Sequence, residues 1–157
     1  MAETRPLTPG EIELARSVFG EAIDYDRVRL VRGTWWPLQP KAIVMAPMGH
    51  IHFHPHGEQW SDDFAREPLD RQGLFIHEMT HVWQAQSKGR FWLPLMRHPF
   101  CRYDYALRKG QAFNRYGIEQ QAEIVRHRFL ADRGAADRLI CVPPAELLPF
   151  GGYSTRP

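Results

Sequence analysis

The sequence predicts an α+β fold in which a small mixed or antiparallel sheet packs on two helices that carry the functional residues. Short alternating segments lie between about residues 27 and 54, and two amphipathic helix patterns follow them. The chain has 157 residues, close to the commonest size of a domain, and no internal repeat. We therefore expect one domain over residues 1–157.

A helix is expected near the start of the chain. Thr8 and Glu11 form a capping-box pattern, and Pro9 occupies the first helical position. The apolar spacing that follows predicts that the helix ends at about Phe19 or Gly20.

Three strands are predicted next, over Arg27–Val31, Lys41–Ala46 and Gly49–His54. In the third, period two places Ile51 and Phe53 on one face, and the other face carries four histidines: His50, His52, His54 and His56. A solvated edge face is the commoner explanation of this row, and a second metal site is the alternative. As an edge strand, it could hold an extended peptide by main-chain pairing.

Two helices are expected after the strands. Ser61 is expected to cap a short helix that contains Phe64. Between Asp70, a suitable N-cap, and Gly89, a suitable C′ residue, no proline interrupts the chain, which predicts one long helix.

The motif His77-Glu78-Met79-Thr80-His81 lies in the middle of that long helix. Residues four apart lie one above the other, so the rings of His77 and His81 can reach one metal ion. Glu78 is offset by roughly 100°, which places its carboxylate to act as general base on a metal-activated water. Apolar residues occupy the opposite arc, so we expect the motif to face a cleft and to bind one Zn²⁺ per chain.

Catalytic zinc takes three protein ligands, so a third must lie elsewhere. Gln84 and Ser87 exclude the extended motif H-E-x-x-H-x-x-G-x-x-H. A second helix is expected from about Gly117 to Asp132, and it carries Glu119 and Glu123 one turn apart. Most helix glutamates are merely exposed, but here we assign Glu119 as the third ligand and Glu123 as the acceptor of a ligand histidine's N–H.

These two segments, H-E-M-T-H-V-W-Q and Y-G-I-E-Q-Q-A-E-I, resemble the thermolysin-like gluzincin metallopeptidases in their small bacterial form. The resemblance implies a minimal zincin-like domain, in which His77, His81 and Glu119 bind zinc and Glu78 is the general base. Glu123 stands where that group has aspartate, one methylene shorter. The segments also resemble Vgr-related, or DUF4157-like, proteins, which implies association with type VI secretion or contractile injection machinery.

Hydrolysis also needs a group that stabilises the oxyanion, commonly a tyrosine or a histidine. We assign this role to Tyr105 and Tyr116. Tyr103, His98 and His127 are further candidates.

Composition narrows the partners and the compartment. The net charge is +2 and no basic run stands out, so we expect no nucleic-acid partner. The chain has no signal-peptide core and no long apolar run, so we expect no membrane and a protein that is cytoplasmic or exported by a non-classical route. The tail from about 142 to 157 is rich in proline and glycine and is expected to be extended or partly disordered.

The function that we predict is zinc-dependent hydrolysis of a peptide or protein substrate, by an endopeptidase rather than an exopeptidase. One alternative is a non-catalytic structural zinc module, in which Cys101 or His98 would supply a fourth ligand. Another is a docking part of a secretion or injection apparatus. Glu78 argues against a purely structural site, which needs no base.

Overall fold

The computed structural model describes residues 2–96 and 101–150. Its fold is α+β, and a three-stranded mixed sheet and the helices share one hydrophobic core. The strands and helices are β1 (Glu3–Pro6), α1 (Pro9–Phe19), β2 (Arg29–Arg32), β3 (Ile51–Phe53), α2 (Leu69–Lys88), α3 (Trp92–Met96) and α4 (Ile118–Leu130). Within these described ranges, none of the helices combines the length and apolar character needed to cross a membrane.

The capping box predicted for α1 is confirmed. The Thr8 side chain accepts from the Glu11 amide at 3.1 Å, and the Glu11 carboxylate accepts from the Thr8 amide at 2.9 Å. Glu11 also has a second role that the sequence does not reveal. Its carboxylate is fully buried and accepts from both Arg5 Nη atoms at 2.8 Å and from the Phe64 amide at 2.9 Å. This carboxylate therefore joins β1, α1 and the segment that leads to α2.

The sheet has the order β1-β2-β3, with β1 antiparallel and β3 parallel to β2. Two of the three predicted strands form, in shorter versions, as β2 and β3. The strand predicted over Lys41–Ala46 is wrong: the Ile43 amide is used in a turn to the Pro40 carbonyl, and only Met45 pairs with His52 in an isolated bridge. β1 was not predicted, because its sequence Glu-Thr-Arg-Pro has no apolar alternation.

The alternation predicted for β3 is confirmed. Ile51 and Phe53 are buried in the core, whereas His50 is exposed and His52 is partly exposed. Among the described residues, the histidine row forms no group of three metal ligands. The solvated edge is therefore the better explanation of this row.

Helix α2 ends as predicted at Gly89 but begins two residues earlier than expected, with Pro68 rather than Asp70 as N-cap. Similarly, Asp63 rather than Ser61 caps the short turn at Phe64–Arg66. The motif face of α2, which was expected to line a cleft, has little exposed surface, because all residues from Phe75 to Val82 are buried. The cause is α4, which packs along the polar side of α2.

Gly73 lies where α2 and α4 approach each other closely. A Cβ atom at this position would lie 3.1 Å from Leu130 Cδ2 and 3.3 Å from Arg126 Nε. Gly73 lies one turn before His77, on the same side of α2. The small residue thus lets α4 come close to the turn that carries the motif.

The predicted second helix forms as α4, with Gly117 as its N-cap. A wider turn follows over Ala131–Ala135, in which Gly134 has a positive φ of 88°. The chain then forms two short 3-10 turns, at Ala136–Arg138 and Ala145–Leu147. The Phe150 ring packs against that of Phe19, with the ring centroids 4.8 Å apart. The rest of the predicted tail, residues 151–157, lies outside the described residues.

Candidate metal centre

The three predicted ligands converge between α2 and α4. His81 Nε2 lies 3.0 Å from Glu119 Oε2, His77 Nε2 lies 3.3 Å from the same oxygen, and the two Nε2 atoms are 3.3 Å apart. His77, His81 and Glu119 are 6%, 3% and 1% exposed. In the described part of the chain, this is the only group of three such side chains that could hold a metal ion.

The outer nitrogen of each ring faces an acceptor. His77 Nδ1 lies 2.7 Å from Glu123 Oε1, and His81 Nδ1 lies 2.8 Å from Gln84 Oε1. An acceptor at Nδ1 favours a hydrogen on that nitrogen and leaves the Nε2 lone pair for a metal. The structure thus places the Glu123 carboxylate against the Nδ1 atom of a ligand histidine, where it is expected from the sequence.

Gln84 was missed from the sequence, where it served only to exclude the longer motif. Its position three residues after His81 places it on the same side of α2, which is the signal that could have identified it. With the two rings held in this way, His77 Nε2, His81 Nε2 and Glu119 Oε2 lie close together as three acceptor atoms. This arrangement suits a bound cation.

The electrostatics of the centre also favour a positive charge. Burial lowers the pKa of His77, but hydrogen bonds to Glu119 and Glu123 outweigh it and raise that pKa to about 9. Burial would raise the pKa of Glu123, but hydrogen bonds from His127 and His77 hold it well below its usual range. The centre thus carries enough negative charge to retain a proton, or a metal ion in its place.

Glu78, the predicted general base, is 5% exposed. It follows His77 on α2, and its charge contributes to the raised pKa of that histidine. Glu78 is not one of the three possible metal ligands. Its negative charge stabilises the protonated form of the neighbouring His77.

The two predicted oxyanion residues lie in the region but have other contacts. The Tyr105 hydroxyl lies 2.6 Å from His127 Nδ1, and the Tyr116 hydroxyl accepts from the Arg108 amide at 3.2 Å. Burial raises the pKa of Tyr105, as does its contact with Cys141. The catalytic role of Tyr105 and Tyr116 stays a prediction.

Tyr103 is the aromatic residue that the structure places against a ligand. Its ring stacks on that of His77, with centroids 6.2 Å apart and planes 18° apart, and it is 50% exposed. His98, another candidate, lies outside the described residues.

A cavity of about 310 Å³ opens beside the ligand Glu119. Met96, Cys101, Arg102 and Ile118 lie in its wall. Cys101 lines this cavity and lies outside the group formed by His77, His81 and Glu119.

Known proteins resemble this chain over most of its length. The type VI secretion system spike protein VgrG2b of Pseudomonas aeruginosa is 47% identical in an alignment 135 residues long, and the match covers 80% of this chain and 13% of the relative. This chain therefore spans only a small part of that spike protein. The solved structure of the effector domain of Pseudomonas aeruginosa VgrG2b has 43% identity and a TM-score of 0.71, and the match covers 85% of this chain and 78% of that one. No protein-family model matches.

These relatives correct the family that the motifs implied. Both are VgrG2b proteins, so the assignment to the thermolysin-like gluzincins, and with it the DUF4157-like label, is wrong. The Vgr-related part of the prediction is confirmed. The chain belongs to the family of the VgrG2b effector domain.

Proposed function

We propose that this chain is the effector module of a type VI secretion spike and that its centre hydrolyses peptide bonds with one bound Zn²⁺. One observation carries the proposal: the ligand atoms of His77, His81 and Glu119 all lie within 4.8 Å of one another. These three side chains and that of Glu78 are buried. Two nitrogens and one carboxylate oxygen are a ligand set that catalytic zinc uses, with a further position left for water or substrate.

The bound metal would supply Lewis acidity, which activates water and polarises a carbonyl group. Glu78 accepts the proton from the attacking water and delivers it to the leaving amine. Glu78 is 5% exposed and follows the ligand His77 directly on α2, which keeps its carboxylate close to the ligand group. Glu123 and Gln84 hold the two imidazole rings in place.

The cavity beside Glu119 supports a peptide or protein substrate. Met96 and Ile118 offer an apolar wall for a side chain. The Arg102 guanidinium pairs with Asp104 through Nε and one Nη, so its other Nη is the group that would donate to a substrate carbonyl. The half-exposed Tyr103 ring lies against His77, where its hydroxyl could assist in stabilising the oxyanion. We therefore add Tyr103 to the predicted Tyr105 and Tyr116.

A second candidate is a non-catalytic metal-binding module that docks on the spike. The names of the relatives support this candidate, because they describe an effector domain and a spike protein and do not mention a chemical reaction. In such a module the metal would tie α2 to α4, and Glu78 would have no chemical role.

One experiment separates the two candidates. Zinc content and turnover of a quenched peptide library are measured on the native chain, on Glu78→Gln, and on Glu13→Gln as a control that removes an exposed carboxylate. For the enzyme, all three bind about one zinc per chain, and Glu78→Gln loses turnover by about 10²- to 10⁴-fold. Equal turnover in the native chain and Glu78→Gln would contradict the base, and zinc without turnover in any of them would favour the docking module.

Association with the spike has its own test. The tagged chain is followed in the growth medium of cells with a working secretion apparatus and of cells that lack the spike. Appearance in the medium only in the first case supports the association, and equal appearance in both contradicts it.

A further inference from the structure

Gln84 joins a ligand histidine to the start of the neighbouring helix. It lies on α2 and is 2% exposed. Its Oε1 lies 2.8 Å from His81 Nδ1, and its Nε2 donates to the Ile118 carbonyl at 3.1 Å and to Gln121 Oε1 at 3.0 Å. Ile118 is the residue before Glu119, so this amide connects the surroundings of two ligands.

The direction of these hydrogen bonds follows from a backbone atom that can only accept. The Tyr116 carbonyl accepts from Gln121 Nε2 at 2.8 Å, which fixes the orientation of the Gln121 amide. Gln121 Oε1 then faces Gln84 and must meet an N–H group. Gln84 therefore turns Nε2 towards it and Oε1 towards His81. A reversed Gln84 amide would place its oxygen against two other acceptors, including the Ile118 carbonyl.

One consequence concerns the hydrogen on His81. Since Gln84 Oε1 can only accept, His81 Nδ1 must carry the hydrogen. The Nε2 atom then carries the lone pair, and it lies on the side of the ring that faces Glu119 Oε2, 3.0 Å away. A neutral imidazole has a second tautomer, with hydrogen on Nε2, that cannot bind a metal through that atom.

We propose that Gln84 and Gln121 are positioning residues, which form a two-amide relay from the Tyr116 carbonyl and hold His81 in its metal-binding tautomer. This inference rests on the metal binding proposed above and deepens it. The relay also explains why the two ligand histidines have different partners. His77 faces a carboxylate, whereas the relay orients His81 without adding another negative charge to a buried centre.

The relay is tested by the dissociation constant for zinc, measured on the full chain by competition with a chromophoric chelator. Gln84→Met keeps the length of the side chain and removes its hydrogen bonds, and it should weaken zinc binding by about 10- to 100-fold. Gln121→Met should weaken it less, because the contact between Gln84 and His81 remains. The double variant should bind no more weakly than Gln84→Met, since the two amides act in series.

Gln72→Met is the matched control. Gln72 also lies on α2, and its Nε2 donates to the Ala65 and Glu67 carbonyls at 3.1 and 3.0 Å, away from the ligand group. This variant should lower the melting temperature but leave the zinc dissociation constant within about twofold of the native value.

A spectroscopic measurement separates positioning from general stability. In the zinc-loaded native protein, the His81 Nδ1–H proton should exchange slowly with water and give a resolved NMR signal. The signal should be lost in Gln84→Met and kept in Gln72→Met.

The inference is overturned if folded Gln84→Met binds zinc as tightly as the native chain. If Gln84→Met does not fold, Gln121→Met decides, and native affinity in that variant overturns the relay. A native chain that binds no zinc would overturn the proposed function and the relay together. Equal binding by the native chain and both variants would overturn the relay alone.

Discussion

The Glu123 carboxylate lies 2.7 Å from His77 Nδ1, on the side of the ring opposite the ligand group. The charge on Glu123 makes the ring a stronger ligand and fixes its orientation. Glu123→Gln keeps an oxygen at this place but removes the charge, so we expect zinc to bind about tenfold more weakly. Competition with a chelator measures this change. Glu13→Gln is the control for the loss of one charge, and the prediction fails if both variants bind equally.

Zinc binding should depend on pH through His77. In the metal-free protein, the hydrogen bonds to Glu119 and Glu123 outweigh burial and raise the pKa of His77 to about 9, and the charge of Glu78 contributes. Below that pH the ring carries a proton that the metal must displace. Affinity should therefore rise by about tenfold per pH unit between pH 6 and pH 8. Chelator competition over this range checks the slope, and an affinity that does not change with pH would disprove the prediction.

Gly73→Val should separate α2 from α4. The added side chain would press on Leu130 and Arg126, which already lie 3.1 and 3.3 Å from the position of a Cβ atom. We expect a loss of roughly 1–3 kcal/mol in the free energy of unfolding, and weaker zinc binding, because α4 carries Glu119. Urea unfolding and chelator competition measure the two effects. Ser87→Val places the same side chain at an exposed position of α2 and should change neither quantity by much.

Glu11→Gln should destabilise the fold without affecting the metal centre directly. Its buried carboxylate accepts from Arg5, Thr8 and Phe64, and an amide group would turn N–H atoms towards some of these donors. Breaking such a buried ion pair costs about 3–5 kcal/mol. Urea unfolding measures the loss, with exposed Glu13→Gln as the control. A change below about 0.5 kcal/mol would show that the carboxylate contributes little.

The features that the sequence predicted well depend on residues a few positions apart. Thr8 and Glu11 cap α1 across three positions, and His77 and His81 meet because a helical turn brings positions four apart together. Gly89 ends α2 as expected because a glycine is favoured there. Such features follow from local backbone geometry alone.

The features that could not be predicted depend on contacts between distant segments. Gln84 acquires its role only when it meets Gln121, 37 positions away. Strand β1 forms because Arg5 is held by the buried Glu11 and because β2 pairs beside it, not because of its own pattern. The polar side of α2 is buried for the same kind of reason, since α4 covers it.

The two histidines of the centre are neighbours on one helix, whereas Glu119 lies 38 positions beyond His81. In an unfolded chain, only His77 and His81 remain near each other, and two unordered imidazoles bind an ion weakly. The complete ligand group therefore exists only after α4 has packed against α2, so the capacity to hold an ion is a property of the folded chain alone.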